Sequence, residues 1–269
     1  ERTYTQLEDA FYVDAGLTYD VPIPISGYTQ ANPVVITATS HGLSNGDTVD
    51  LSGILKVDTS VTKGASLQAD LNNNGYTVAN VTTNTFSLKA NGVDVNGTGL
   101  SAYSSGGNAR KAITNISGLW HLEGQSVTGL ANGDVLDPLT VTNGSVTLPN
   151  KVSRVHLGLP YTSTMKTLRL NVPSGDGTTI QARDKKISRL TVRTEKTMGM
   201  KVGPDEATLR QVKFGVAAKF GQPRVLFDGD KDTTLKPNWA KDGQFFVVQS
   251  DPAPLTILSV IPDAIVGGN

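Results

Sequence analysis

The chain has no cysteine among its 269 residues, so disulfides, thiolate nucleophiles, thioester chemistry and Cys-type zinc sites are excluded. Aromatic residues make up only 6% of the chain, which leaves little for stacking platforms once a core is filled. No apolar run reaches the roughly 18 residues needed to cross a bilayer as a helix, and no basic region followed by an apolar one opens the chain. Net charge is absent too. The 24 basic and 24 acidic side chains cancel, so bulk charge predicts no affinity for nucleic acid or membrane. The first residue is Glu1 rather than Met, as expected of a fragment or a processed product.

What is present favours β structure. Gly is abundant, and Val and Thr recur in short alternating runs, which suits many short strands joined by tight turns. A chain of this length can bury about 75% of its unfolded surface, enough for one large or two ordinary cores. The strongest pattern runs from Ile116 to Tyr161. Val127 precedes the turn Ala131-Asn132-Gly133-Asp134, Val135 and Leu136 follow it, Leu139 and Val141 alternate with threonines, and Asn143-Gly144 reverses the chain into Val146 and Leu148. Asn-Gly between apolar runs is a hairpin signal because both turn positions need positive φ. Val155, Leu157 and Leu159 then share one strand face, with Arg154 and His156 on the other.

The order GLWHLEGQSV, LANGDV, TVTNGSVTL and VHLGLPY, with FYVDAGLTYD upstream and DPAPLTILSVIPDAIVGG at the end, resembles the C-terminal part of the tail nozzle proteins of short-tailed bacteriophages, also called stabilisation or tail tubular B proteins. The resemblance covers Glu1 to Ser26 and Ile113 to Asn269, and none of its motifs is catalytic. The intervening residues, with expected strands at Val34 to Ala38, Thr48 to Leu51, Tyr76 to Val81 and Phe86 to Leu88, resemble a small β module of phage tail proteins that is likened to a half-domain of ubiquitin-activating enzymes. The expected fold is mainly β: an antiparallel barrel or sandwich platform (residues 1–27 and 112–269) with an inserted small β domain (28–111). Asp58 to Asn74 reads as a loop, Gly97 to Asn108 as a flexible return linker, and Val21-Pro22-Ile23-Pro24 as a connector. The resemblance implies a virion structural protein and not an enzyme. It would be a homo-oligomeric ring, hexameric in the family, that stacks below a tail adaptor, forms the lower channel for DNA retention and ejection, and supports fibres or tip proteins. It implies no cofactor.

Further along, Ala10 to Val13 reads as a strand, Asp14-Ala15-Gly16 as a turn and Leu17 to Tyr19 as a second strand. Leu168, Leu170 and Val172 read as a strand ending at Pro173, with a loop at Ser174 to Gly177. Ala207 to Phe214 is ambiguous, and Phe245 to Gln249 and Leu255 to Ile261 read as strands buried on both faces or against a neighbour. GLSNGDTVDL and GLANGDVLDP share a frame that reads as a recurring Asn-Gly-Asp turn.

Charge is unevenly spread. Residues 1 to 30 carry one basic and five acidic groups, net −4, and residues 167 to 250 carry fifteen basic and nine acidic, net +6. If the chain assembles, these segments are natural cross-subunit partners. The basic excess peaks between Arg183 and Lys201, where alternation puts Arg189 and Arg193 on one face of a strand whose other face holds Leu190, Val192 and Thr194. Lys185, Lys186, Arg189 and Arg193 are the candidate site residues. They belong to a solvated face, to a subunit interface, or to a channel surface holding DNA phosphates nonspecifically. The chemical alternatives are thinner. His41, His121 and His156 have no metal or relay spacing. Glu8 with Asp9, and Asp205 with Glu206, are adjacent and point apart on an extended strand, which leaves Glu123 as the best single acid for an envelope depolymerase. Asp228, Asp230 and Asp232 alternate as in a calcium loop, but Lys231 intervenes and the following Gly and distal Glu are lacking, so a solvated turn is expected. Tyr28, Tyr76, Tyr103 and Trp120 would be the platforms of a surface carbohydrate-binding or adhesion protein.

Overall fold

The computed structural model describes residues 7, 10, 12–56, 71, 74–171, 179–181, 183–214, 225–236 and 239–267. Among these the chain is built from antiparallel strands and short 3-10 turns, without an α-helix, and no sheet closes into a barrel. The fold is therefore mainly β, as the Val, Thr and Gly content predicts.

Residues 28–111, expected as an inserted module, form most of a nine-stranded sheet. Its strands Val35–Thr37, Thr48–Ser52, Asn74–Ala79 and Thr85–Ala90 fall where the alternation places them. Val49 and Leu51 point into a core with Val34, Ile36, Phe86 and Leu88, while Thr48, Asp50 and Ser52 stay outside it. Two expectations fail here. Pro22–Pro24 is an edge strand paired with Asn108–Ser117 rather than a connector; an edge position tolerates the two missing amide donors. The stretch from Gly97 to Asn108 is packed rather than a flexible linker. Tyr103–Ser105 pairs with Leu55–Lys56, Leu100 is buried, and the Tyr103 hydroxyl lies 2.9 Å from the Ile25 carbonyl. Leu100 and Tyr103 supply the apolar surface that its Gly and Ser content obscured. Most of the expected loop from Asp58 to Asn74 lies outside the described residues.

Strand Asn108–Ser117 carries the module into the rest of the chain. Its first half pairs with Thr48–Ser52 and its second half with Ser145–Val152, so the expected boundary at 111/112 falls inside one continuous strand. The patterned stretch beyond it folds as read. Ser126–Ala131, Asp134–Val135, Leu139–Thr140 and Arg154–Leu159 form a sheet with Asp14–Asp20. Its core joins Val127, Val155 and Leu157 to Val146 and Leu148 of the neighbouring sheet. Asn132-Gly133 and Asn143-Gly144 both turn with positive φ at each residue, as the two-residue hairpin requires. The turn expected at Asp14-Ala15-Gly16 is instead a bulge inside strand Asp14–Asp20, with Ala15 at φ 48° and a register shift before Leu17.

The C-terminal part packs two sheets around one core. Ser163–Lys166, Phe246–Gln249, Lys201–Gly203 and Arg210–Gln211 form the first. In the second, Lys185–Thr197 has Thr256–Val266 along one edge, with Phe227–Thr234 and Trp239–Ala240 following one another along the other. Leu190 and Val192 meet Val202 and Val247 between the sheets. The strand expected at Leu168 to Val172 is displaced to Ser163–Lys166, where the pairing with Phe246–Gln249 lies; Leu168 is exposed, and Val172, Pro173 and the Ser174 to Gly177 loop lie outside the described residues. Glu206–Thr208 is a 3-10 turn followed by the short strand Arg210–Gln211. Phe246–Gln249 is buried as expected, but Thr256–Val266 is an edge strand with one face open.

Candidate functional site

The candidate residues lie on the second C-terminal sheet, and the structure separates them. Arg189 and Arg193 point outward while Leu190, Val192 and Thr194 are buried, as the alternation predicts. Both are already engaged. The Arg193 guanidinium holds Asp230 in a bidentate pair, Nε to Oδ1 at 2.7 Å and Nη2 to Oδ2 at 2.9 Å. Arg189 pairs with Asp232, whose other oxygen accepts the Thr191 hydroxyl at 2.5 Å. The Arg193 hydrogen bond holds the Asp230 carboxyl below the usual carboxylate range, and Asp232 is lowered by the Thr191 hydroxyl and then by Arg189. Asp228 accepts the backbone amide of Lys196 at 2.7 Å, where Lys196 has φ 44°. The expected turn is thus strand Phe227–Thr234, its aspartates are employed in pairing and capping, and no group able to hold a metal ion occurs among the described residues.

Lys185 does not share that face. A register shift between Ile187 and Arg189 breaks strict alternation, so Ile187 and Lys185 turn inward while Lys186 stays at the outer surface. The Lys185 side chain is 1% exposed, and its ammonium lies 2.6 Å from the Lys241 carbonyl and 3.3 and 3.4 Å from those of Gln181 and Arg183. It fastens loop carbonyls and cannot reach a bound phosphate. Lys186 places its ammonium 5.9 Å from the Trp239 ring centroid, a cation–π contact. The outer face is therefore a row of compensated charges rather than a track of free cations.

Beside that row runs an apolar stripe that sequence reasoning missed. Leu258, Ile261 and Ile265 on Thr256–Val266, with Trp239, are each at least half exposed. Ile261 stands opposite Thr191, and Ile265 opposite Lys186. The signal was present in TILSVIPDAIV, where Ile257, Val260 and Ala264 pack on the core and the remaining apolar residues must face out.

A cleft of about 480 Å³ lies where the module meets the patterned unit, lined by Leu51, Arg110 and Ala112 on one side and Leu136, Leu148 and Arg154 on the other. Two of the lining residues, Arg110 and Arg154, share the carboxylate of Asp20. That carboxylate lies 2.6 Å from Arg110 Nε and 3.1 Å from Arg154 Nε, and Arg110 also donates to Ser52 Oγ at 2.8 Å. Asp50 stands opposite Arg110 in register, so the cleft walls are charge-balanced. Asp20 belongs to the net −4 segment, and its partners lie within the same chain rather than across an interface. Nearby, burial would raise the Asp47 carboxyl, but the Lys111 and Ser44 hydrogen bonds and the charges of Lys111 and Lys151 hold it below its ordinary range.

Several of the chemical candidates make hydrogen bonds that brace the fold. Glu123 accepts the backbone amides of Asn143 at 2.9 Å and Gly144 at 2.7 Å, so both oxygens clamp the hairpin turn. Trp120 lies over Gly144. His41 accepts the Leu43 amide at Nδ1, His156 bonds Thr18 and His121 bonds the Ala15 carbonyl. Tyr28 and Tyr103 meet edge to face with their hydroxyls on backbone carbonyls, and Tyr76 is buried. Of the four aromatics considered as platforms, Trp120 alone stays exposed. Asp205 accepts the Thr208 hydroxyl at 2.8 Å; Glu8 and Asp9 lie outside the described residues. In both copies of the Asn-Gly-Asp frame the asparagine oxygen fastens a neighbouring segment, Asn45 on the Val81 amide and Asn132 on the Ser153 and Arg154 amides.

No known family model matches the chain, and no curated protein is similar to it.

Proposed function

We propose that this chain is a structural component of a short-tailed bacteriophage tail, a nozzle-type subunit with an inserted β module. In this reading it assembles into a ring below the tail adaptor, forms the lower channel for DNA retention and ejection, and supports fibres or tip proteins. One observation carries the reading: the motifs behind the resemblance are spent on bracing one another. Glu123 of GLWHLEG clamps the turn of TVTNGSV, Leu119 donates to the Gly144 carbonyl, and Asn132 of LANGDV fastens the strand of VHLGLPY. Residues fixed in this way suit a load-bearing scaffold. With Arg189 and Arg193 compensated by aspartates, the basic strand is assigned to a subunit interface rather than to the DNA-facing surface.

The test is absolute mass by light scattering or native mass spectrometry across concentration and salt, with imaging of the particles. A closed ring of about six copies with a central opening is expected. A chain that stays monomeric throughout and binds glycans on an array, or turns over envelope polymer, overturns the reading in favour of an adhesion or depolymerase function.

A further inference from the structure

Two exposed apolar patches lie on different sides of the C-terminal sandwich. The first is the stripe of Leu258, Ile261 and Ile265 with Trp239, on the outer face of one sheet. The second surrounds edge strand Ser163–Lys166 of the other sheet. All four residues of that strand are exposed, and Tyr161, Met165 and Leu168 add apolar surface. Among the described residues the strand pairs only with Phe246–Gln249, and its other edge has no partner strand among them. An outer face and a lateral edge point in different directions, and neither patch covers the other within one chain.

We propose that the occupant of the stripe is a second copy of this chain, docking head to tail through the patch around Leu168. Three observations select this partner. Two unlike patches on one molecule are the requirement of a heterologous contact, in which each copy offers one patch and receives the other. Their charges differ in sign at one point: Asp263 is exposed between Ile261 and Ile265, where it stands opposite Arg189, and Lys166 follows Met165, while Arg169 is already paired with Asp242. The outer face is large enough to receive the patch: a thirteen-residue strand spans about 43 Å and three strands side by side about 14 Å, about 600 Å² with the charged row included, against the roughly 800 Å² per partner of a standard interface. Pro262 in the stripe strand disfavours edge-to-edge pairing there, which leaves the face as the contact.

The compensated Arg189–Asp232 and Arg193–Asp230 pairs acquire a role in this arrangement. They lie beside the stripe as the polar rim that surrounds an apolar interface centre, and cost less to cover than free charges would. The inference rests on the reading of the chain as an assembling tail subunit and names the surfaces through which it assembles.

The absence of native cysteine makes the test direct. Ile261→Cys and Leu168→Cys are prepared separately in the full chain, mixed, and treated with a short bis-maleimide. A cross-linked dimer is expected in the mixture and not with either variant alone, and a chain carrying both changes is expected to give a ladder of oligomers. Ile261→Lys, at an exposed position, is expected to weaken association at least tenfold with an unchanged melting temperature. Unchanged association of that variant, or an assembled chain that fails to cross-link in the mixture, overturns the inference and leaves the tail-subunit reading standing. Cross-linking of Ile261→Cys with itself overturns the head-to-tail arrangement in favour of a two-fold one. An unmodified chain that is monomeric at every concentration overturns both.

Discussion

Removing the Asp20 carboxylate tests how the module is held. Its two oxygens face the Nε atoms of Arg110 and Arg154, and the side chains of the three residues are 28%, 13% and 14% exposed. Asp20→Asn keeps the shape and removes the charge, leaving two mostly buried guanidiniums facing a neutral amide. Breaking a fully buried pair by deleting one partner costs about 3–5 kcal/mol. Residual solvent at Asp20 and the nearby Asp50 carboxylate reduce this to about 2–3 kcal/mol. Arg154→Gln is milder, about 1 kcal/mol, because Asp20 keeps Arg110 and Arg110 keeps Ser52. For a chain of this size each kcal/mol moves the melting temperature by about 2–4 °C, so scanning calorimetry should show Asp20→Asn lower by about 4–12 °C and Arg154→Gln by about 2–4 °C. Because the cluster is largely shielded, about 1 M salt should leave most of the difference in place. Equal losses for the two variants, the reverse order, or a loss abolished by salt would refute the view that one carboxylate compensates two arginines.

Glu123→Ala should destabilise by about 2 kcal/mol through the loss of two charge-assisted bonds to the Asn143-Gly144 turn; denaturant unfolding measures this, and a catalytic loss without a stability loss would contradict the clamp. Lys185→Met should cost about 2–3 kcal/mol, since the carbonyls of Gln181, Arg183 and Lys241 lose their shared donor, whereas Lys186→Met should stay within about 0.5 kcal/mol; equal effects would place Lys185 outside. Asp230 and Asp232 have folded-state values below those of the unfolded chain, so the unfolded state binds protons first as pH falls. Their stabilisation is fully present above the ordinary carboxyl range near pH 4 and is lost as pH falls through the depressed values. Carboxyl chemical shifts followed by NMR should give midpoints below the ordinary range, and ordinary midpoints would show that the pairs do not persist in solution.

Local signals were legible wherever two residues alone decide the outcome. Asn132-Gly133 and Asn143-Gly144 announce hairpins because few other pairs adopt positive φ twice, and the alternation of Arg189 to Thr194 fixes its faces. The failures have non-local causes. A register shift between Ile187 and Arg189 breaks the parity by which Lys185 would share the face of Arg189, and a bulge is set by the partner strand rather than by the strand's own residues. The partners of Arg193 and Arg110 stand 37 and 90 residues away, beyond the range of any spacing rule. The aspartates of residues 228–232 looked like a loop because polar residues on an edge strand read as a turn until the paired arginines are placed opposite them. The open face of Thr256–Val266 was hidden for the opposite reason: an apolar run reads as buried, although an edge strand needs to bury only one side.

On the proposed reading of residues 28–111 as an inserted module, the two ends of the segment bear on how it is held. Pro24 stands opposite Asn108 and Ile23 opposite Ala109, so entry and exit are adjacent hydrogen-bonded strands. The platform therefore sees one narrow bridge whatever lies between, and insertions whose ends are close are the ones a fold tolerates. A bridge alone would leave the module free to pivot. Two features oppose this: strand Asn108–Ser117 runs unbroken from the module sheet to its pairing with Ser145–Val152, and Asp20, on a platform strand, grips Arg110 of the module sheet and Arg154 of the platform. The Tyr19 hydroxyl adds a bond to the Lys111 carbonyl at 3.1 Å. Continuous backbone resists bending in the sheet plane, while the off-axis ion cluster resists rotation about the strand. Together they tie residues 28–111 to the hairpin unit that Glu123 and Asn132 brace.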